Sequence, residues 1–165
     1  MFTRILVPTD FSPGADTALN YARTIAEKFG ASLQLLHVMD DPVTTMMTSV
    51  ESYVPDLPEL REAMLREAAR LMEARLSAED RTKLHATGEA FFGSGARGIV
   101  DYAADHGIDL IVMGTHGRTG MSHLLMGSVA ERVVRTAPCA VMTVRDGARA
   151  KGHAGAIEIP VAVSA

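Results

Sequence analysis

Gly114, Gly117, Gly127 and Ser128 stand in the pattern Gly-x2-Gly-x9-Gly-Ser. An apolar run, Leu110-Ile111-Val112-Met113, leads into it, and a helix-like run, Val129-Ala130-Glu131-Arg132-Val133-Val134-Arg135, follows. The stretch therefore reads as strand, glycine loop, helix start. Such a junction suits a phosphate, because glycines let the main chain come close and free N–H groups at a helix N-terminus point at an anion. Ser128 can cap that helix or donate its hydroxyl to a phosphate oxygen. His116 and Arg118 place further donors in the loop. No Gly-Lys-Ser/Thr closes the pattern, and Gly114 and Gly117 are too far apart for Gly-x-Gly-x-x-Gly. On chemistry alone it is either a phosphate cradle or a loop whose glycines only make turns.

Other reactive groups are sparse. Asp10 follows a strand and either meets a ligand or caps the next helix. His116 has no carboxylate spaced to orient it, so no catalytic residue is assigned. His37, His85, His106 and His153 lack metal-ligand spacing, and no Cys/His cluster exists, so no structural metal is expected. Cys139 is the single cysteine, read as a buried inert thiol; an intrachain disulfide is impossible and a reducing compartment fits.

The elements that must position these residues alternate between strand and helix. Arg4-Ile5-Leu6-Val7-Pro8 is a buried strand ending at Thr9-Asp10. Ser12-Pro13 opens a helix whose stripe is Ala15, Ala18, Leu19, Ala22, Ile25, Ala26 and Phe29, and Gly30 closes it. Ser32–Met39 is a second strand, so a right-handed crossover makes a parallel pair. Residues 40–57 form the least regular stretch, either a lid or an excursion without a role. Residues 58–77 are a helix, 78–81 a polar turn, 82–89 an edge strand, and Phe91-Phe92-Gly93-Ser94-Gly95 a turn into a helix over 96–106. Leu110–Met113, a helix from Ser128 to Thr136 and the strand Ala140–Val144 complete five strands and four helices. This predicts an α/β single domain: an open, twisted, parallel five-stranded sheet with helices on both faces, Rossmann-like. Ligands of such sheets sit beyond the C-terminal strand ends, where Thr9-Asp10, Val38-Met39 and Met113-Gly114 converge.

The totals agree. The chain has 165 residues, 47% hydrophobic and 22% charged, which suits one core. A net charge of −4 argues against a nucleic-acid surface. The N-terminus does not read as a signal peptide and no apolar run is long enough to span a membrane, so a cytoplasmic protein with no membrane contact is expected.

Taken together, Gly114-x2-Gly117-x9-Gly127-Ser128, Ile5-Leu6-Val7-Pro8-Thr9-Asp10-Phe11-Ser12, Val112-Met113-Gly114-Thr115-His116-Gly117 and Ala137-Pro138-Cys139-Ala140-Val141 resemble the hallmark stretches of the universal stress protein family, in order and spacing. The resemblance covers residues 1–145 as one domain and leaves 146–165 as a tail, in which 157–163 reads as an extra edge strand. It implies the strand order 3-2-1-4-5, the fold shared with adenine nucleotide alpha hydrolases, and ATP as ligand, with Mg2+ arriving on its phosphates. By resemblance the nucleotide contacts are Pro8, Thr9, Asp10, Val38, Met113, Gly114, His116, Gly117, Arg118, Gly127, Ser128 and Val129, with Asp10 on the adenosine, Val38 on the adenine ring and the loop holding His123 around the phosphates. The Phe91–Gly95 turn borders the cleft. A homodimer through Ala140–Val144 is implied as well. The expected function is a cytosolic dimeric stress-response module whose state or protein partners follow the nucleotide. A slow ATPase and a scaffold without nucleotide are the alternatives.

Overall fold

A computed structural model describes residues 1–42, 57–115 and 126–145. In chain order the elements are β1 (Arg4–Pro8), α1 (Pro13–Phe29), β2 (Ser32–Met39), α2 (Leu57–Glu73), α3 (Ala78–Lys83), β3 (Thr87–Phe92), α4 (Gly95–Asp105), β4 (Leu110–Gly114), α5 (Ser128–Thr136) and β5 (Ala140–Val144). The strands form one sheet, β3-β2-β1-β4-β5, with every pair parallel. This is the order that the resemblance implies.

Alternation along β1 decides the layering. Ile5 and Val7 face one way and Leu6 the other, and all three are fully buried. Ile5 and Val7 pack with Ala18, Leu19, Ala22 and Leu33 under α1 and α2. Leu6 packs with Ile99, Tyr102, Ile111 and Val133 under α4 and α5. The central strand is thus roofed on both faces, as a parallel sheet requires. Ser12 caps α1 by accepting from the Ala15 N–H at 3.3 Å, Pro13 takes its first turn, and Gly30 closes it at φ 66°. Phe29, expected in the stripe, is 38% exposed.

Two expectations need correction. The third strand is Thr87–Phe92, not 82–89, so Phe91 and Phe92 are strand residues rather than a turn. Residues 78–83 are helical rather than a turn, which makes five helices among the described residues. The reason is a capping box. Ser77 Oγ accepts from the Asp80 N–H at 3.0 Å, and Asp80 Oδ2 accepts from the Ser77 N–H at 2.8 Å. Asp80 also holds Arg23 of α1 at 3.0 Å, which fixes this short helix on the sheet's first layer. The irregular stretch, residues 43–56 of it, the loop 116–125 and the tail with its expected strand at 157–163 lie outside the described residues.

Candidate functional site

A hollow of about 240 Å3 opens at the C-terminal ends of β1, β2 and β4. Its floor follows from how β1 ends. The Thr9 N–H extends the ladder to the Leu36 carbonyl at 2.8 Å. Thr9 Oγ1 accepts from the Phe11 N–H at 2.9 Å, and Asp10 Oδ1 accepts from the Ser12 N–H at 3.1 Å. The chain therefore turns sharply over Thr9–Ser12, with Phe11 at φ 65°, a conformation uncommon outside glycine. His37 Nδ1 lies 2.6 Å from the Thr9 carbonyl, the ring tautomer being the one that donates there. Helix α1 is capped by Ser12, so Asp10 does not supply its cap.

The far wall is the start of α5. Thr115 N–H donates to Val144 O at 2.9 Å, and Gly127 N–H donates to Thr115 O at 2.8 Å. The two ends of the 116–125 segment are thus held side by side. Gly127 is the N-cap, with φ −60° and ψ 149° and no side-chain cap. The first helical bond runs from the Glu131 N–H to Gly127 O, so the amides of Ser128, Val129 and Ala130 have no acceptor within the helix. All three residues line the hollow. Helix α4 also begins without a side-chain cap, at Ser94, and its first residue, Gly95, lines the same space. Each helix start brings the positive end of its dipole.

The remaining lining is mostly apolar: Leu36, Val38, Ile99 and Met113. Among the described lining residues Asp10 alone is charged. An apolar slot, one carboxylate and uncapped helix starts suit a flat heteroaromatic group joined through a polyol to an anion.

Of the residues expected at the site, Pro8, Thr9, Asp10, Val38, Met113, Gly114, Gly127, Ser128 and Val129 surround this hollow. His116, Gly117 and Arg118 lie outside the described residues. Gly95, the end of the turn expected to border the cleft, lines it too; Ala15, Leu36, Ile99, Thr115 and Ala130 line it as well and were not anticipated. Leu36 was legible, since it shares the face of Val38 two residues on. Ile99 follows Gly95 by one helical turn and was legible only with the helix start in hand. Phe91 and Phe92 pack into opposite cores rather than line the hollow. Among the described residues no three His, Cys, Asp or Glu side chains gather as a metal site. Cys139 is half-buried; burial, then the Asp109 charge, pushes its thiol up, away from the reactive thiolate.

The family model described as the universal stress protein family matches residues 1–145. A universal stress protein of Methanocaldococcus jannaschii is 34% identical over 148 residues, covering 88% of this chain and 83% of its own. Universal stress protein YxiE of Bacillus subtilis is 31% identical over 150 residues, covering 88% of this chain and all of its own. The structure of universal stress protein UspA from Lactobacillus plantarum superposes with a TM-score of 0.71 at 33% identity, over 87% of this chain and 98% of that one. The fold recurs in a universal stress protein in complex with cAMP (24% identity, TM-score 0.55, 87% of this chain and 97% of that one). It also recurs in an Arabidopsis thaliana family protein with AMP bound (18% identity, TM-score 0.60, 88% of this chain and 93% of that one). Sequence match and architecture agree over the same span: this chain belongs to the universal stress protein family.

Proposed function

We propose that the hollow binds ATP and that the protein is a stress-response module whose conformation or partner binding follows the nucleotide. The observation that carries this reading is the uncapped start of α5, whose free amides face the same hollow as Asp10 and the Val38–Ile99 slot. In this arrangement the adenine ring packs on Val38 and Ile99, and the ribose hydroxyls donate to Asp10. The phosphates take the amides of Ser128 and Val129 together with the Ser128 hydroxyl. Gly117, His116 and Arg118 complete the phosphate wrap, and any Mg2+ comes on the phosphates. The adenine nucleotides in two proteins of this fold, cAMP and AMP, agree with the ligand class.

Turnover is expected to be very slow. Asp10 is the only charged group among the described lining residues, and in-line water activation with a catalytic cation needs more than that. We read residues 1–145 as the family domain, with 146–165 a tail, and the protein as a cytoplasmic homodimer joined at β5. No helix among the described residues is long and apolar enough to cross a membrane.

Equilibrium dialysis against labelled ATP tests the reading. Binding on the order of micromolar is expected, with an adenine nucleotide among the small molecules released when freshly purified protein is denatured. Absence of binding would leave the scaffold alternative. Rapid phosphate release at saturating ATP would favour the ATPase.

A further inference from the structure

Arg75 lies outside the hollow, in the turn after α2, yet it grips Phe11, within the Thr9–Ser12 turn that forms the hollow's floor. Its Nη2 donates to the Phe11 carbonyl at 3.1 Å, and its guanidinium lies 4.9 Å over the Phe11 ring. The His37 ring lies 4.4 Å from the same ring. Arg75 is itself anchored: Nε donates to Asp16 Oδ1 at 2.6 Å and Nη1 to the Leu71 carbonyl at 3.1 Å. Its side chain is only 20% exposed.

Phe11 needs such a grip. At φ 65° it occupies a region that side chains with a Cβ disfavour, and such a residue persists only where its surroundings over-determine it. The Thr9 hydroxyl takes its N–H, and Arg75 takes its C=O. The Phe11 carbonyl and the Ser12 N–H belong to one peptide, and that N–H is the one Asp10 Oδ1 accepts at 3.1 Å. Release of the carbonyl lets the Phe11–Ser12 peptide rotate as Phe11 relaxes toward an ordinary φ, and the Asp10 carboxylate loses the N–H that fixes its direction.

We propose that Arg75 is a positioning residue for nucleoside recognition: by holding Phe11 left-handed, it aims Asp10 at the ribose hydroxyls. The inference rests on the nucleotide reading above and adds a residue that touches no ligand. A general loss of packing would weaken every ligand alike. A positioning role removes only what Asp10 contributes.

The test is a cycle between protein and ligand, with Kd measured for ATP and for 2′,3′-dideoxy-ATP. Wild type is expected to prefer ATP about tenfold. Arg75→Met is expected to bind ATP about as weakly as wild type binds the dideoxy compound, with affinity for the dideoxy compound kept within about twofold. Asp16→Asn, on a half-exposed side chain that loosens the anchor without removing Arg75, should lose part of the preference and keeps the question decidable should Arg75→Met not fold. Arg75→Lys, which keeps one donor, should recover part of it. Equal weakening of both ligands, or a preference undiminished in the folded variants, overturns the positioning role while the nucleotide reading stands. Wild type that binds ATP without preferring it to the dideoxy compound also overturns it. Wild type that binds neither ligand overturns the nucleotide reading itself.

Discussion

A Cβ added to Gly114 would stand 3.1 Å from the carbonyl carbon of Gly14 and 3.2 Å from its oxygen. The first glycine of the signature thus meets the first turn of α1, and the neighbour it would strike is main chain, which cannot swing aside. Gly114→Ala is therefore expected to cost about 1–3 kcal/mol of stability through overpacking, and Gly114→Val more. Urea unfolding checks this. A stable Gly114→Val protein that has merely lost ATP would show that this glycine serves the phosphates instead.

Gly127 behaves differently. Its φ of −60° and ψ of 149° are open to any residue, so glycine is not needed there for backbone reasons. What we expect it to supply is room for phosphates above the α5 amides. Gly127→Val should leave the unfolding midpoint close to wild type while abolishing ATP binding, read by dialysis. The same loss is expected of Gly117→Val, by resemblance. Unchanged binding in both would refute the phosphate assignment.

The contrast shows which parts of the site the sequence disclosed. Strand ends at Thr9-Asp10, Val38 and Met113-Gly114 were legible because short apolar runs followed by polar or glycine residues mark buried parallel strands. The distinct work of Gly114 was not, because its neighbour Gly14 is a hundred residues away in sequence. The misplaced third strand has a local cause. Thr82–His85 mimics strand alternation, while the Ser77–Asp80 capping box, which starts a helix there, gains its strength from Arg23 on another element. The role of Arg75 was equally hidden, since nothing in the order of residues reveals that Phe11 has positive φ.

Asp80 should matter to acid stability. Burial would raise its pKa, but the hydrogen bond from Arg23 and those from Ser77 outweigh it and hold the carboxyl below the usual range. A depressed folded pKa contributes stability that is present above the unfolded value of about 3.9 and fades as pH falls through the folded one. Asp80→Ala is expected to cost about 2–4 kcal/mol at neutral pH, since it leaves Arg23 without its carboxylate and the Ser77 N–H without its acceptor, which removes one half of the capping box. The gap to wild type should narrow below about pH 3.9, which urea midpoints over an acid series would reveal.

Tyr102 provides the alkaline counterpart. Burial, then the hydrogen bond to Glu89 at 2.9 Å and that carboxylate's charge, push its phenol up to about 12. A raised folded pKa gives stability that is complete below the unfolded value of about 10 and is lost as pH rises toward 12. Ultraviolet titration should show one tyrosine ionising late. Glu89→Gln should bring that phase earlier by removing the charge. An unmoved phase would mean that burial alone sets it.

The last strand should carry the dimer, and its backbone says which amides would do so. The Val144 carbonyl accepts from Thr115 beside β4, so Val144, Met142 and Ala140 turn their main-chain groups inward. By alternation Val141 and Thr143 turn theirs to the edge, where β5 has no neighbouring strand among the described residues. On α5, Val134, which is not among the residues lining the hollow, is 46% exposed, apolar surface a second copy could cover. Thr143→Pro removes one edge N–H and leaves the β4 ladder whole, a substitution that an edge strand tolerates. Sedimentation of wild type should give twice the 17.6 kDa of one chain, and the variant should sediment as one chain with an unchanged circular dichroism spectrum. A wild-type monomer, or a variant that stays paired, would move the contact away from β5.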